Sequence, residues 1–212
     1  MEKHFMIDIE TTGVDILTDK ILQVGVLECE FSGGRWEAGR ALEFLVGGEY
    51  EPKGEFAKTH MMDLYRKCAE APRLKAVNCR ASLLQFFRSC GEHPPDVYLM
   101  GWNASNFDVP FLVEAGFLKA GVYVPGVDGK DIRTGDFHYR IYEIGGAVSL
   151  AQNVLKFEDR NALCALAKAR GQITIPLPAG KEHDAIYDCY SQLAMLNGFI
   201  ELCGEARETS HD

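Results

Sequence analysis

The sequence lacks the features that would direct it to a membrane, a sulfur-based framework or a long duplex. No apolar stretch reaches bilayer-spanning length before a charged or turn residue interrupts it. The seven cysteines (Cys29, Cys68, Cys79, Cys90, Cys164, Cys189 and Cys203) are odd in number, and no pair has CxxC spacing. Neither a zinc site nor a disulfide framework is therefore expected, and reduced thiols in a cytoplasmic protein are the simpler reading. The opening Met1-Glu2-Lys3-His4 leads into an expected strand that carries acids, not into the apolar run of a signal peptide. There is no internal repeat, low-complexity tract or linker. Basic residues are in deficit, 22 Lys and Arg against 31 Asp and Glu, for a net charge of −9. That balance excludes a broad phosphate-binding face and tight coating of long duplex DNA. It leaves nucleic acid open, because carboxylates that hold divalent cations bring positive charge to the place where a phosphate must sit.

What remains is an ordinary globular composition. The 212 residues are 47% hydrophobic and 25% charged, which suits one domain over residues 1–203 and a flexible tail over 204–212. His4 to Glu10 reads as a strand, with Phe5, Ile7 and Ile9 on one face and Met6, Asp8 and Glu10 on the other. Ile21 to Phe31 and Trp36 to Val46 read as strands joined by a Ser-Gly-Gly turn. Helices are expected over Leu64–Glu70, Val77–Cys90, Val109–Ala120, Phe137–Lys156, Asp159–Ala169 and Asp184–Leu202. Short strands are expected at Val97–Trp102 and near Asp131. Strands that open the chain and then alternate with helices make an α/β sheet covered by helices.

Three segments carry chemistry. Asp8 and Glu10 are two apart on a strand, so both carboxylates point to one face and repel unless a cation sits between them. An acidic pair of this kind is also common at a solvated strand end. Here Thr11-Thr12-Gly13 follows, and the glycine turn lets backbone amides approach a ligand. The second segment, Gly101-Trp-Asn-Ala-Ser-Asn-Phe-Asp108, ends a strand and starts a helix; Asp108 alone reads equally well as a helix N-cap. The third is His183-Asp-Ala-Ile-Tyr-Asp188. Ala185, Asp188, Cys189, Gln192, Leu196, Phe199 and Ile200 share one helical stripe. Asp188 thus falls on the face to be buried, where a carboxylate needs a partner or a metal. Asp184 is the better N-cap.

In this order and at these separations, Asp8-x-Glu10, Asn103 with Phe107-Asp108, and His183-x-Ala185-x-x-Asp188 resemble the three motifs of the DnaQ-like (DEDDh) 3′→5′ exonuclease family. The resemblance runs from Met1 to about Leu202. Ala57-Lys-Thr-His60-Met-Met-Asp63 resembles the family's substrate-side turn and helix. Asn103 lies one residue further from its aspartate than in the family's proofreading subunits, and the stretch from 122 to 156 matches no part of the family pattern. The resemblance implies an RNase H-like fold, a central mixed sheet flanked by helices. It implies two divalent ions, Mg²⁺ or Mn²⁺, held by Asp8, Glu10, Asp108 and Asp188, with His183 as general base. It places Thr11, Thr12 and Gly13 at the terminal 3′ hydroxyl, and Leu17, His60, Met61, Asn103 and Phe107 against the last nucleotides.

The implied activity is stepwise hydrolysis at single-stranded 3′ ends, releasing nucleoside monophosphates. DNA is favoured over RNA because the second motif resembles that of polymerase-attached domains. The rivals are a 3′→5′ exoribonuclease, which uses the same chemistry, and an inactive module that binds nucleic-acid ends. No membrane partner is expected; a homodimer and a polymerase partner both stay open. The Arg66, Lys67, Arg73, Lys75 and Arg80 cluster reads either as a grip on a strand or as a solvated helical face.

Overall fold

The computed structural model describes residues 3–125, 131–138, 140–180 and 182–208. The chain opens with three strands, β1 (Lys3–Thr11), β2 (Ile21–Ser32) and β3 (Arg35–Leu45). Three helices follow, α1 (Gly54–His60), α2 (Met62–Glu70) and α3 (Ala76–Ser89), then β4 (Tyr98–Gly101) and α4 (Asp108–Glu114). The short strands β5 (Val122–Pro125), β6 (Asp131–Thr134) and β7 (Ile141–Glu143) precede α5 (Ile144–Leu155), α6 (Arg160–Gly171) and α7 (Ala185–Glu208). The main sheet has the order β3-β2-β1-β4-β7. β1 pairs antiparallel with β2 and parallel with β4, which pairs parallel with β7. This is the mixed, helix-flanked sheet expected from the sequence; β5 and β6 pair separately.

The alternation of β1 divides the core in two. Phe5, Ile7 and Ile9 pack with Leu83, Phe87 and Leu112 of α3 and α4. Met6, on the opposite face, packs with Val148, Leu163, Cys189 and Leu193 of α5, α6 and α7. Asp8 and Glu10 continue that second face to the strand end, so the acids emerge where the sheet meets the start of α7. Two close approaches bring α7 there. Gly25 is the β2 partner of Asp8, and a methyl on it would lie 2.6 Å from the Ala185 carbonyl carbon. Further along, α6 and α7 cross at Gly171 and Gly198, where an added methyl would overlap the Ala194 or Ala167 carbonyl. A side chain at either crossing point would push the helices apart.

Several boundaries differ from the sequence reading. The single helix expected over 137–156 is instead β7 followed by α5, because Ile141–Glu143 completes the sheet edge against Leu99–Gly101. Pairing of this kind overrides local propensity. The helix expected to reach Ala120 stops at Glu114, ahead of Gly116 at φ +71°. The loose tail expected from Gly204 is helical through Glu208, since Leu202 is buried and Arg170 pairs with Glu205 at 2.7 Å; residues 209–212 lie outside the described residues. α1 overlaps the stretch that resembles the family's substrate-side turn and helix, and the hydrophobic period alone does not mark it as helix. All seven cysteines are free thiols. Among the described residues no helix is long and apolar enough to cross a membrane.

Candidate active site

An open cleft of about 420 Å³ lies at the end of β1, lined by Asp8, Glu10, Trp102, Asn103, Phe107, Asp108, His183, Asp188 and Gln192. The three segments singled out in the sequence therefore meet. Two of the acids are held by backbone N–H groups. Asp108 is not an N-cap, since Phe107 occupies that position. It is the first residue of α4, 3% exposed, and accepts the Ile9 N–H at 3.0 Å, which ties α4 to β1 between the two β1 acids. Asp188 accepts the His183 backbone N–H at 2.9 Å. Asp184 caps α7, accepting the Tyr187 N–H at 3.4 Å, as expected from the sequence.

Gln192 was legible only as a polar residue on a buried stripe. Its carbonyl oxygen accepts the Trp102 N–H at 2.9 Å, and its Nε2 donates to Asp8 Oδ1 at 3.0 Å. One side chain thus joins the ends of β1 and β4 to α7. Gln23, also unforeseen, accepts the Ala185 N–H at 3.2 Å and supports the start of α7 from β2. Glu143 of β7 accepts the Ser105 N–H at 2.6 Å and braces the Asn103 turn, where Asn103 has φ +57°.

The cleft concentrates negative charge, and among the described residues none of its lining is a lysine or arginine. Burial, then the charges of Asp108, Glu10 and Asp188, pushes Asp8 well above the usual carboxylate range. Burial, then Asp188 and Asp108, pushes Glu10 up to about 8. Asp108 and Asp188 are also raised, both chiefly by burial and both opposed by the N–H groups they accept. Acids that retain protons near neutrality lack a countercharge. One ring nitrogen of His183 and one oxygen each from Glu10 and Asp188 lie within 4.8 Å of one another, a spacing able to hold a cation. Asp8 and Asp108 are not part of this group; Asp8 Oδ1 accepts from Gln192 instead.

The remaining candidate residues sit around this centre. Both hydroxyls of the turn have partners within it: Thr11 Oγ1 donates to the Gly13 carbonyl at 2.5 Å, and Thr12 Oγ1 donates to Asp19 at 3.1 Å. Gly13 packs against the Asp19 carboxylate, where a methyl would collide. Leu17 is 76% exposed on the β1–β2 loop and lines a separate pocket with Phe111 and Phe117. Met61 is buried in the apolar cluster with Leu22 and Leu64. His60 stands beside His183, ring centroids 6.3 Å apart. In the basic cluster, Arg80 is bound to Asp136 at 2.6 Å and Arg66 to Asp63 at 2.8 Å.

Three solved structures with a similar fold are of exonuclease I. The zinc-ion-bound form of an E. coli exonuclease I–ssDNA complex superposes with a TM-score of 0.56 at 16% identity, covering 92% of this chain and 39% of that one. An exonuclease I complex with SSB-Ct gives 0.58 at 13% identity, covering 99% and 43%. A product-bound exonuclease I gives 0.51 at 15% identity, covering 92% and 42%. The chain thus spans about two fifths of the length of these proteins. The likeness is one of fold, a mixed sheet flanked by helices that is RNase H-like in type. No protein-family model and no curated protein matches the sequence.

Proposed function

We propose that the chain is a divalent-metal-dependent 3′→5′ exonuclease acting on single-stranded nucleic-acid ends, with DNA the favoured substrate. The observation that carries this reading is the convergence of Asp8, Glu10, Asp108, Asp188 and His183 from three distant segments in one open cleft. The likeness in fold to exonuclease I, solved with ssDNA and with product, supports the choice of reaction and the preference for DNA.

The donor set fits hard divalent ions, because several carboxylate oxygens with raised proton affinity lie where a cation would relieve their repulsion. Asp8, Glu10, Asp108 and Asp188 would hold Mg²⁺ or Mn²⁺, and two such ions supply the Lewis acidity that an in-line displacement at phosphorus requires. His183 takes the proton of the attacking water. The water oxygen bonds to phosphorus and the bond from phosphorus to the 3′ oxygen of the preceding nucleotide breaks. The leaving 3′ oxygen takes a proton from solvent and becomes the 3′ hydroxyl of the shortened strand, and a nucleoside 5′-monophosphate leaves through the open side of the cleft. Asn103 and Phe107 line the cleft beside the acids, which supports contacts from them to the terminal nucleotide, and His60 lies beside His183. The tight Thr11-Thr12-Gly13 turn presents its backbone at the same end of β1.

The test uses 5′-labelled single-stranded DNA, the matching RNA, a blunt duplex and a circular single strand, each with Mg²⁺, Mn²⁺ or EDTA. The expected result is a ladder on linear single-stranded DNA that shortens one nucleotide at a time, no cleavage of the circle and no activity in EDTA. Cleavage of the circle, or full activity in chelator, overturns the reading.

A further inference from the structure

Phe56 has no place in the core. It is 52% exposed and stands outside the three apolar clusters. Its ring nevertheless has partners: the His183 ring lies 4.8 Å away at 89°, and the His60 ring 4.9 Å away. Residues i and i+4 of a helix share a face, so Phe56 and His60 form one aromatic surface on α1. Ala57 and Met61 turn the other way, into the cluster with Leu22 and Leu64. α1 is also tied down at its start, where Lys53 Nζ meets the Asp19 carboxylate at 2.5 Å. Phe56 therefore stands on a fixed support.

His183 does not. It sits in the loop before α7 with φ +66°, a left-handed backbone that non-glycine residues seldom adopt. The hydrogen bond from its N–H to Asp188 fixes the backbone and leaves the orientation of the imidazole to its neighbours. A general base displaced by about 1 Å loses up to roughly 10²-fold in rate, so a constraint on the ring has consequences for turnover. We propose that Phe56 is a positioning residue for His183: its phenyl ring confines the imidazole to the side of the cleft where it meets Glu10 and Asp188. This inference rests on the exonuclease reading. A half-exposed ring beside a nucleic-acid site has a competing use, stacking on a base, and the two uses separate kinetically.

The experiment measures kcat and KM on single-stranded DNA with Mg²⁺ for the wild type, Phe56→Ala, Phe56→Tyr, His183→Ala and the double variant Phe56→Ala/His183→Ala, with the thermal midpoint of each. Phe56→Ala is expected to lower kcat about 10- to 100-fold while KM stays within about twofold. Phe56→Tyr, which keeps the ring, is expected to restore turnover. In the His183→Ala background, Phe56→Ala is expected to have no further effect. An unchanged kcat in Phe56→Ala, a rise confined to KM, or a loss that persists in full without His183 overturns the inference, the last two in favour of stacking on substrate. An active wild type with an unaffected Phe56→Ala sinks this inference alone. A wild type that fails to hydrolyse any strand sinks the proposed function, and the inference with it.

Discussion

Gln192 shows how a neutral side chain can organise a charged site. Its amide has both ends engaged, the oxygen with the Trp102 N–H and the nitrogen with Asp8. Replacement by leucine leaves a backbone donor and a carboxylate without their partner, at a cost of about 1–3 kcal/mol for the orphaned donor. Gln192→Leu should therefore lower stability by that amount in urea denaturation, and lower turnover as well because Asp8 loses its fixed orientation. A variant equal to the wild type in both would remove Gln192 from the site. His183 makes a sharper case. His183→Ala is expected to cut kcat by roughly 10²–10⁴-fold, the usual worth of general base catalysis, with binding of a single-stranded 3′ end retained. Near-normal turnover would take His183 out of the proton-transfer role. The acids and His183 were legible only through the order and separation of three segments that together resemble a family pattern, since each segment alone also has a structural reading. Gln192 and Phe56 were not, because their meaning lies in partners from distant segments, the Trp102 amide and the His183 ring, and no local spacing encodes those contacts.

At the scale of elements, the strongest signals were those with a clean period. The alternation of β1 placed Phe5, Ile7 and Ile9 opposite Asp8 and Glu10, and the structure has that division. The stripe on α7 put Asp188 on the face to be buried; in the structure it is half-buried and lines the cleft beside the β1 acids. β7 escaped because Ile141–Glu143 is only three residues long and owes its conformation to pairing with β4. α1 escaped because it is seven residues long, has no side-chain cap and exposes Phe56, so no apolar stripe announces it. Gly25 matters at this scale. It stands beside Asp8 on β2 and makes room for the first turn of α7. Gly25→Val is expected to push α7 off the sheet, destabilising the fold by about 1–3 kcal/mol or more and abolishing hydrolysis by separating Asp188 from Glu10. Full activity with an unshifted denaturation midpoint would refute that account of the site's assembly.

For the molecule as a whole, the clustered acids link folding to protons and to metal. Glu10 titrates near 4.5 when unfolded and is pushed up to about 8 in the cleft by burial and by Asp188 and Asp108. The folded protein then keeps a proton that the unfolded chain has released, so this contribution is complete below about pH 4.5 and is lost as pH rises through about 8. Asp8, raised by burial and by its acidic neighbours, and Asp188, raised chiefly by burial, act in the same direction. Glu28 does not interfere in this window. Burial would raise it, but Lys3 and Arg40 hold it down at about 2, so its contribution is present above about 4.5 and fails only in acid. A divalent cation takes the place of the protons, so the rise in thermal midpoint on adding Mg²⁺ or Mn²⁺ over EDTA should grow from pH 5 to pH 8. A metal effect that is flat or shrinks with pH would contradict the linkage. The crossing of α6 and α7 at Gly171 and Gly198 limits how far such a change can spread. Backbone meets backbone there, so the middle of α7 can open only if both helices come apart together. Hydrogen exchange should accordingly be slowest around residues 167–171 and 194–198. Chelation should speed exchange in the first turn of α7, beside Asp188, and stop short of the crossing, leaving a rigid shaft beneath a metal-responsive tip.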